Sequence, residues 1–247
     1  MRIVVIGGTG LIGSRLVERL VDQGYEALPA SPRTGVDTLT GEGLSQALDG
    51  AEVVVDVTNP RSLGAAPAME FFRTSTSNLL TAEGAAHVRH HVVLSVVGTE
   101  RLVQSSYFQG KLAQENLIEE GPIPYTIVRA TQFFEFVEGI ADGATTGNIV
   151  RLPPVLVQPV AAADVAAELA RIAVDAPMNR AIEIAGPEQF RLDDLVRLLL
   201  TAANDPREVV ADPSARYFGV ELSERSLVPE AEATLGESRL DDWLNRR

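Results

Sequence analysis

Among the 21 basic residues of this chain only one, Lys111, is a lysine. A compact ammonium with three rotatable donors does what a planar guanidinium cannot, since it changes its pKa readily when buried and can reach hydroxyls from several directions. Lys111 follows Tyr107 by four residues in SSYFQGK, so on a helix both side chains share one face. A phenol with an ordinary pKa of about 10 is a poor acid–base catalyst at neutral pH. A neighbouring ammonium favours the phenolate and is expected to lower that pKa. Placed at random, the lone lysine would stand four residues after one of the four tyrosines in roughly 2% of cases.

A second chemical signal lies at the start of the chain. GGTGLIG puts glycines at Gly7, Gly10 and Gly13, between a β-branched run, RIVVI, and an amphipathic stretch. This is the strand–turn–helix setting that a dinucleotide fingerprint requires. Gly7 permits the tight turn, Gly10 lets the backbone approach a pyrophosphate, and Gly13 lets helix and strand pack closely. The turn residue Thr9 and the amides around Leu11 and Ile12 then face the phosphates. The second strand should end near Ala30, where an NAD site usually carries an acidic residue. Here Ser31-Pro32-Arg33 follows, and Asp37 is the next carboxylate. Arg33 with Ser31 suits a 2′-phosphate. NADP(H) is therefore the expected cofactor, NAD(H) the alternative, and Ser31, Arg33 and Asp37 join the candidate binding set.

Taken together, GGTGLIG, VVVDVTN, LSVVG, YFQGK and PYTIVRATQFFEF resemble an atypical short-chain dehydrogenase/reductase of the NmrA-like group, in order and over essentially the whole chain. The resemblance implies a catalytic set of Ser95, Tyr107 and Lys111. In it, Ser95 holds the substrate oxygen, Tyr107 is the general acid, and Lys111 fixes the nicotinamide ribose. It also places Asn59 beside the cofactor channel, although the continuation NPRSL departs from the asparagine-alanine-glycine pattern of typical members. Thr131, Gln132 and Phe133 are implied to border the nicotinamide and substrate. Phe133, Phe134 and Phe136 read either as a substrate wall or as core. The implied activity is NADP(H)-dependent reduction of a carbonyl or enone of a small organic molecule. The group also includes regulators that bind the dinucleotide without turnover, and those often lack the tyrosine–lysine pair. An isomerase or dehydratase using the same tyrosine is a third reading.

The elements that must position these residues are legible as alternating strands and helices. Strands are expected at RIVVI, YEALPA, AEVVVDVT, HVVLSVV, PYTIVRA and RAIEIAG, with a short extended piece at VDTL. Helical spacing covers Leu11 to Gln23, GLSQAL, Ala68 to Ala86, Ser106 to Glu119, part of VAAADVAAELARIAV, and LDDLVRLLLTA. The fold class is therefore α/β, a Rossmann fold with a doubly wound parallel sheet and helices on both faces. One domain is expected over 1–247, with a cofactor core to about 185 and a small carboxy-terminal substrate lobe over about 186–247, where the strand signal fades.

Composition removes several classes. With no cysteine there is no disulfide, thiolate nucleophile or cysteine zinc site. A net charge of −13 repels nucleic-acid phosphates, so no nucleic-acid partner is expected. No apolar stretch reaches the roughly 18–20 residues that cross a bilayer, and the start has no signal-peptide layout; a cytoplasmic location without membrane contact is the expectation. His87, His90 and His91 are close in sequence, but a helix end and a strand start should make their side chains diverge, and no metal is expected.

Overall fold

The computed structural model describes residues 1–60, 65–230 and 232–246. Ile3, Val4 and Val5 are wholly buried in β1 (Arg2–Ile6), a run apolar on both faces as an interior parallel strand requires. The chain turns through GGTG into α1 (Leu11–Asp22), which buries the stripe Ile12, Gly13, Leu16 and Leu20. There follow β2 (Glu26–Ala30), α2 (Leu44–Leu48), β3 (Val53–Asp56), α3 (Ala65–Ala86), β4 (His90–Val96), α4 (Ser106–Glu119) and β5 (Tyr125–Ala130). Next come α5 (Val137–Gly143), β6 (Thr145–Thr146), β7 (Ile149–Leu152), β8 (Leu156–Val157), α6 (Ala162–Val174) and β9 (Ala181–Ala185). The chain ends with β10 (Phe190–Arg191), α7 (Leu192–Ala202), β11 (Glu208–Ala211), β12 (Thr234–Leu235) and α8 (Leu240–Leu244).

Seven strands form one parallel sheet in the order β12-β9-β5-β4-β3-β1-β2, the expected Rossmann architecture. The chain leaves β1 for β2 on one side and returns to place β3 on the other, with Val4 beside both Leu28 and Val54. That reversal is the topological switch point at whose strand ends open α/β sheets bind ligands.

Contacts divide the chain into two compact units. The first comprises Met1–Ser95, Ser106–Arg129 and Val165–Ile182; the second takes Val96–Ser105, Ala130–Asp164 and the chain from Glu183 onward. In the first, Val4, Ile6, Leu48, Val54 and Leu79 share one core. In the second, β6 pairs antiparallel with β7, β11 runs parallel to β7, and β8 pairs with β10. Here α7 buries Leu192, Leu195, Val196, Leu199 and Leu200.

Two sequence expectations need correction. VDTL is not extended. Gly35 adopts a left-handed φ of 82°, Asp37 accepts the Leu39 N–H through Oδ1 at 2.8 Å, and Asp37 N–H bonds to the Glu42 carbonyl. The segment satisfies its own backbone as turns, and β2 is left at the sheet edge. The chain beyond Gly186 also keeps strands, at β10, β11 and β12. Two to four residues are too few to show a period of two.

Candidate functional site

The glycine turn is fixed by sterics. Gly7 has a φ of +81°, the left-handed region that favours glycine, and its N–H donates to the Ala30 carbonyl at 2.8 Å. A Cβ on Gly13 would lie 2.3 Å from the Gly7 carbonyl oxygen, so the third glycine brings α1 onto the turn. Gly8, not singled out from the sequence, is as constrained: its Cβ would lie 2.6 Å from Pro29 Cα. Gly10 differs, since a Cβ there would meet only the Gly7 oxygen, at 3.3 Å. The first-turn amides of α1, including those of Leu11 and Ile12, have no intrahelical acceptor, and no acidic residue lies in that turn to repel a phosphate. These features fit a bound pyrophosphate.

Thr9 sits in the turn and its hydroxyl donates to Ser31 Oγ at 3.0 Å, linking it to the end of β2. Ser31 is buried and caps a single 3-10 turn over Pro32–Thr34. Arg33 is exposed on that turn and makes no ion pair among the described residues. Asp37 serves its own loop, as described above.

The next strand end leads to the phenol. A Cβ on Gly7 would touch the Val57 carbonyl at 3.1 Å and the Thr58 nitrogen at 3.2 Å, so the glycine turn lies against the chain leaving β3. One residue on, Asn59 Oδ1 accepts the Tyr107 hydroxyl at 3.1 Å. Residues 61–63 of the NPRSL segment lie outside the described residues. The Tyr107 ring stands edge-on to Phe72 and Phe108, with centroids 5.8 and 5.6 Å away. The phenol pKa is raised, not lowered as expected from the nearby ammonium. Burial pushes it above the ordinary value, and the Asn59 bond only partly opposes this.

The ammonium has other engagements. Lys111 is 3% exposed, and its Nζ donates to the Leu94 carbonyl at 2.8 Å and to Gln114 Oε1 at 2.9 Å. It also lies 4.4 Å from the Phe72 ring centroid, a cation–π contact. Its third N–H has no hydrogen-bond partner among the described residues. Burial pulls the Lys111 pKa down to about 8, against the attraction of Asp56 and Glu115. Gly110 makes this packing possible, because a Cβ there would lie 2.8 Å from Phe72 Cδ2.

Ser95 is buried and donates to Glu115 Oε1, a carboxylate that Arg129 also grips through Nη2 at 2.6 Å and Nε at 3.1 Å. The serine hydroxyl thus belongs to a buried ion-pair cluster, and gripping a substrate oxygen requires it to turn away from Glu115. Thr131 belongs to the second unit, where its hydroxyl donates to the Gln158 carbonyl at 2.6 Å. Gln132 is buried there with Oε1 unpartnered. Phe134 is core, packed on Trp243, whereas Phe136 is half exposed beside Phe133.

The histidines diverge. His90 Nε2 meets Thr126 Oγ1 at 2.9 Å, His91 Nδ1 meets Glu83 at 2.8 Å, and His87 is exposed. Burial, with His91 adding to it, pulls the His90 pKa down to about 4.

Sequence reasoning missed Asp56, Phe72 and Gln114. Asp56 had a visible signal, a lone carboxylate inside the run VVVDV. A phenylalanine and a glutamine on helices carry none.

A family model described as NAD(P)H-binding matches residues 7–176, which hold the glycine turn, Asn59, Tyr107 and Lys111. The chain belongs to the NAD(P)H-binding family. The chain is similar to Photosystem II assembly factor Ycf39 of Cyanophora paradoxa, 26% identical over 153 residues, covering 56% of this chain and 48% of that protein. The chain spans about half the length of the curated relatives it matches. The NAD(P)H-binding chain also shares its fold with solved structures. DesIV, a dTDP-glucose 4,6-dehydratase of Streptomyces venezuelae with NAD and TYD bound, has a TM-score of 0.76 and 17% identity, over 100% of this chain and 95% of that one. A short-chain dehydrogenase/reductase superfamily protein of Agrobacterium tumefaciens with NAD bound has a TM-score of 0.73 and 18% identity, over 100% and 95%. Among the described residues, no helix is long and apolar enough to cross a membrane.

Proposed function

We propose that this chain is an NADP(H)-dependent oxidoreductase that reduces a carbonyl or enone of a small organic molecule, with Tyr107 as general acid. The observation that carries the proposal is the run of contacts from the glycine turn, through the chain leaving β3, to the Tyr107 hydroxyl on Asn59. A bound reduced nicotinamide dinucleotide would supply the hydride. The turn from Gly7 to Gly13 would hold its pyrophosphate. Arg33, with no ion pair among the described residues, together with Ser31, favours the 2′-phosphate form. Tyr107 supplies the proton. Tyr107 is a phenol at neutral pH, the form that a reduction consumes, and its burial in the resting protein makes it a weaker acid than a free tyrosine. Lys111 is held by Leu94 and Gln114 and keeps one N–H for a ribose hydroxyl.

A second reading is a dinucleotide-binding assembly or regulatory protein without turnover. It is favoured by the internal engagement of Ser95 with Glu115, and by relatives named as assembly factors. One experiment separates the two. NADPH is mixed with the protein and a panel of aldehydes, ketones and enones, and loss of reduced-nicotinamide absorbance is followed for native protein and Tyr107→Phe. The reductase reading requires turnover by the native protein and a loss of about a hundredfold in the variant. NADPH binding without turnover across the panel, unchanged in Tyr107→Phe, selects the second reading.

A further inference from the structure

A carboxylate at the end of a buried valine strand is costly unless its oxygens are satisfied. Asp56 ends β3 and is 2% exposed, and both oxygens have partners. Oδ1 accepts the Thr58 N–H at 2.8 Å, and Oδ2 accepts Gln114 Nε2 at 2.9 Å. Gln114, fully buried, turns its Oε1 to the Lys111 ammonium. The amide has one possible orientation. An ammonium only donates and an ionised carboxylate only accepts, so the oxygen must face Lys111 and the nitrogen Asp56.

We propose that Asp56 is a positioning residue that sets both the phenol and the ammonium of the site at once. Through Thr58 it shapes the strand end from which Asn59 holds Tyr107, and through the Gln114 amide it holds Lys111. Its consequence for turnover rests on the reductase reading; the linkage itself belongs to the resting protein. The charged groups facing Lys111 are Asp56 from β3 and Glu115 from its own helix. Arg129 of β5 covers Glu115, β4 offers the Leu94 carbonyl, and α3 offers the Phe72 ring. On the far side, the Glu83–His91 pair feels Asp56 electrostatically.

The lone lysine makes the test direct. In protein labelled with [13Cε]lysine, the single side-chain signal is Lys111, and its pH titration reads the ammonium without substrate or cofactor. Asp56→Asn keeps the shape and removes the charge. Gln114→Met keeps the length and breaks the link while leaving Asp56 on Thr58. Each variant, with native circular dichroism, is expected to move the Lys111 midpoint to lower pH, a proton affinity weaker by about tenfold. The [13Cζ]tyrosine signal of Tyr107, assigned by its loss in Tyr107→Phe, is expected to shift in Asp56→Asn and to stay in place in Gln114→Met. NADPH affinity, by titration, should fall in both. A residue that merely supports the fold would lower stability without moving the Lys111 midpoint. An unmoved midpoint in the folded variants overturns the ammonium arm, and an unmoved Tyr107 signal in Asp56→Asn overturns the phenol arm. If Asp56→Asn does not fold, the Gln114→Met midpoint decides. Because these signals need no turnover, failure of the reductase reading leaves them intact and is recognised separately.

Discussion

The Tyr107 hydroxyl donates to Asn59 Oδ1 at 3.1 Å, joining the start of α4 to the residues just past β3. The bond works through one hydroxyl, so its two partners should not act independently. Asn59→Ala is expected to lower turnover by roughly tenfold, and Tyr107→Phe by about a hundredfold. The double variant should be no slower than Tyr107→Phe alone, because groups acting as a unit are not additive. Steady-state rates of the four proteins with one accepted substrate check this. Additive losses would mean that Asn59 acts elsewhere.

The glycines of the turn are expected to separate folding from binding. Gly10→Ala meets a single oxygen at 3.3 Å, whereas Gly13→Ala drives a Cβ to 2.3 Å from the Gly7 carbonyl. Gly10→Ala should therefore keep native stability and lose NADPH affinity. Gly13→Ala should lose on the order of 2 kcal/mol or more of stability, a backbone clash that no rotamer relieves. Urea denaturation beside NADPH titration distinguishes the two, and equal stability losses would refute the assignment of roles.

Much of this was legible in the sequence because the signals were local. GGTGLIG between a strand and a helix needs only its neighbours to be read, and the Tyr107–Lys111 spacing is legible on the single helix Ser106–Glu119. What escaped depends on distant partners. VDTL has strand-like residues, yet Gly35 and Asp37 close it into turns. The direction of the Tyr107 shift could not be read from Lys111, because burial of the phenol, set by packing between distant elements, outweighs its neighbours. Asp56 is a single carboxylate within a valine run, and its partner Gln114 stands 58 residues later.

Cofactor choice follows from the end of β2. Arg33 is exposed and without an ion pair among the described residues, and the nearby Asp37 carboxylate caps its own loop. NADPH should bind more tightly than NADH, and Arg33→Ala should remove most of the difference. Because the contact is charge-assisted, the preference should also shrink as salt is raised. Calorimetric titration of both cofactors at two ionic strengths tests it; equal native affinities would end the NADP(H) assignment.

Glu83 and His91 form a fully buried pair, with His91 Nδ1 2.8 Å from the carboxylate. Burial alone would lower the His91 pKa, but the Glu83 charge holds it above the ordinary value; Glu83 itself is pushed up by burial. Removing one partner strands the other. Glu83→Leu should cost about 3–5 kcal/mol, while Glu83→Leu with His91→Leu should recover most of that loss. Denaturant unfolding of the set measures the coupling, and a double variant as unstable as the single one would show that the pair has no such mutual dependence.

Lys111 imposes a pH dependence whose sign is unusual for a lysine with partners. Its native pKa is about 8, below the ordinary value of 10.5. Below pH 8 both native and unfolded chains hold the proton, and the native state carries the cost of burying the ammonium. Between about 8 and 10.5 only the unfolded chain holds it, so raising the pH favours the native state. Stability relative to Lys111→Met should therefore rise across that window by on the order of 3 kcal/mol. Groups common to both proteins cancel in the difference. Urea denaturation of the pair at pH 7.5, 9 and 10.5 gives the curve. A flat difference would place the native Lys111 pKa at its ordinary value. A falling one would mean that Asp56 and Glu115 outweigh burial, with the ammonium stabilised where it lies.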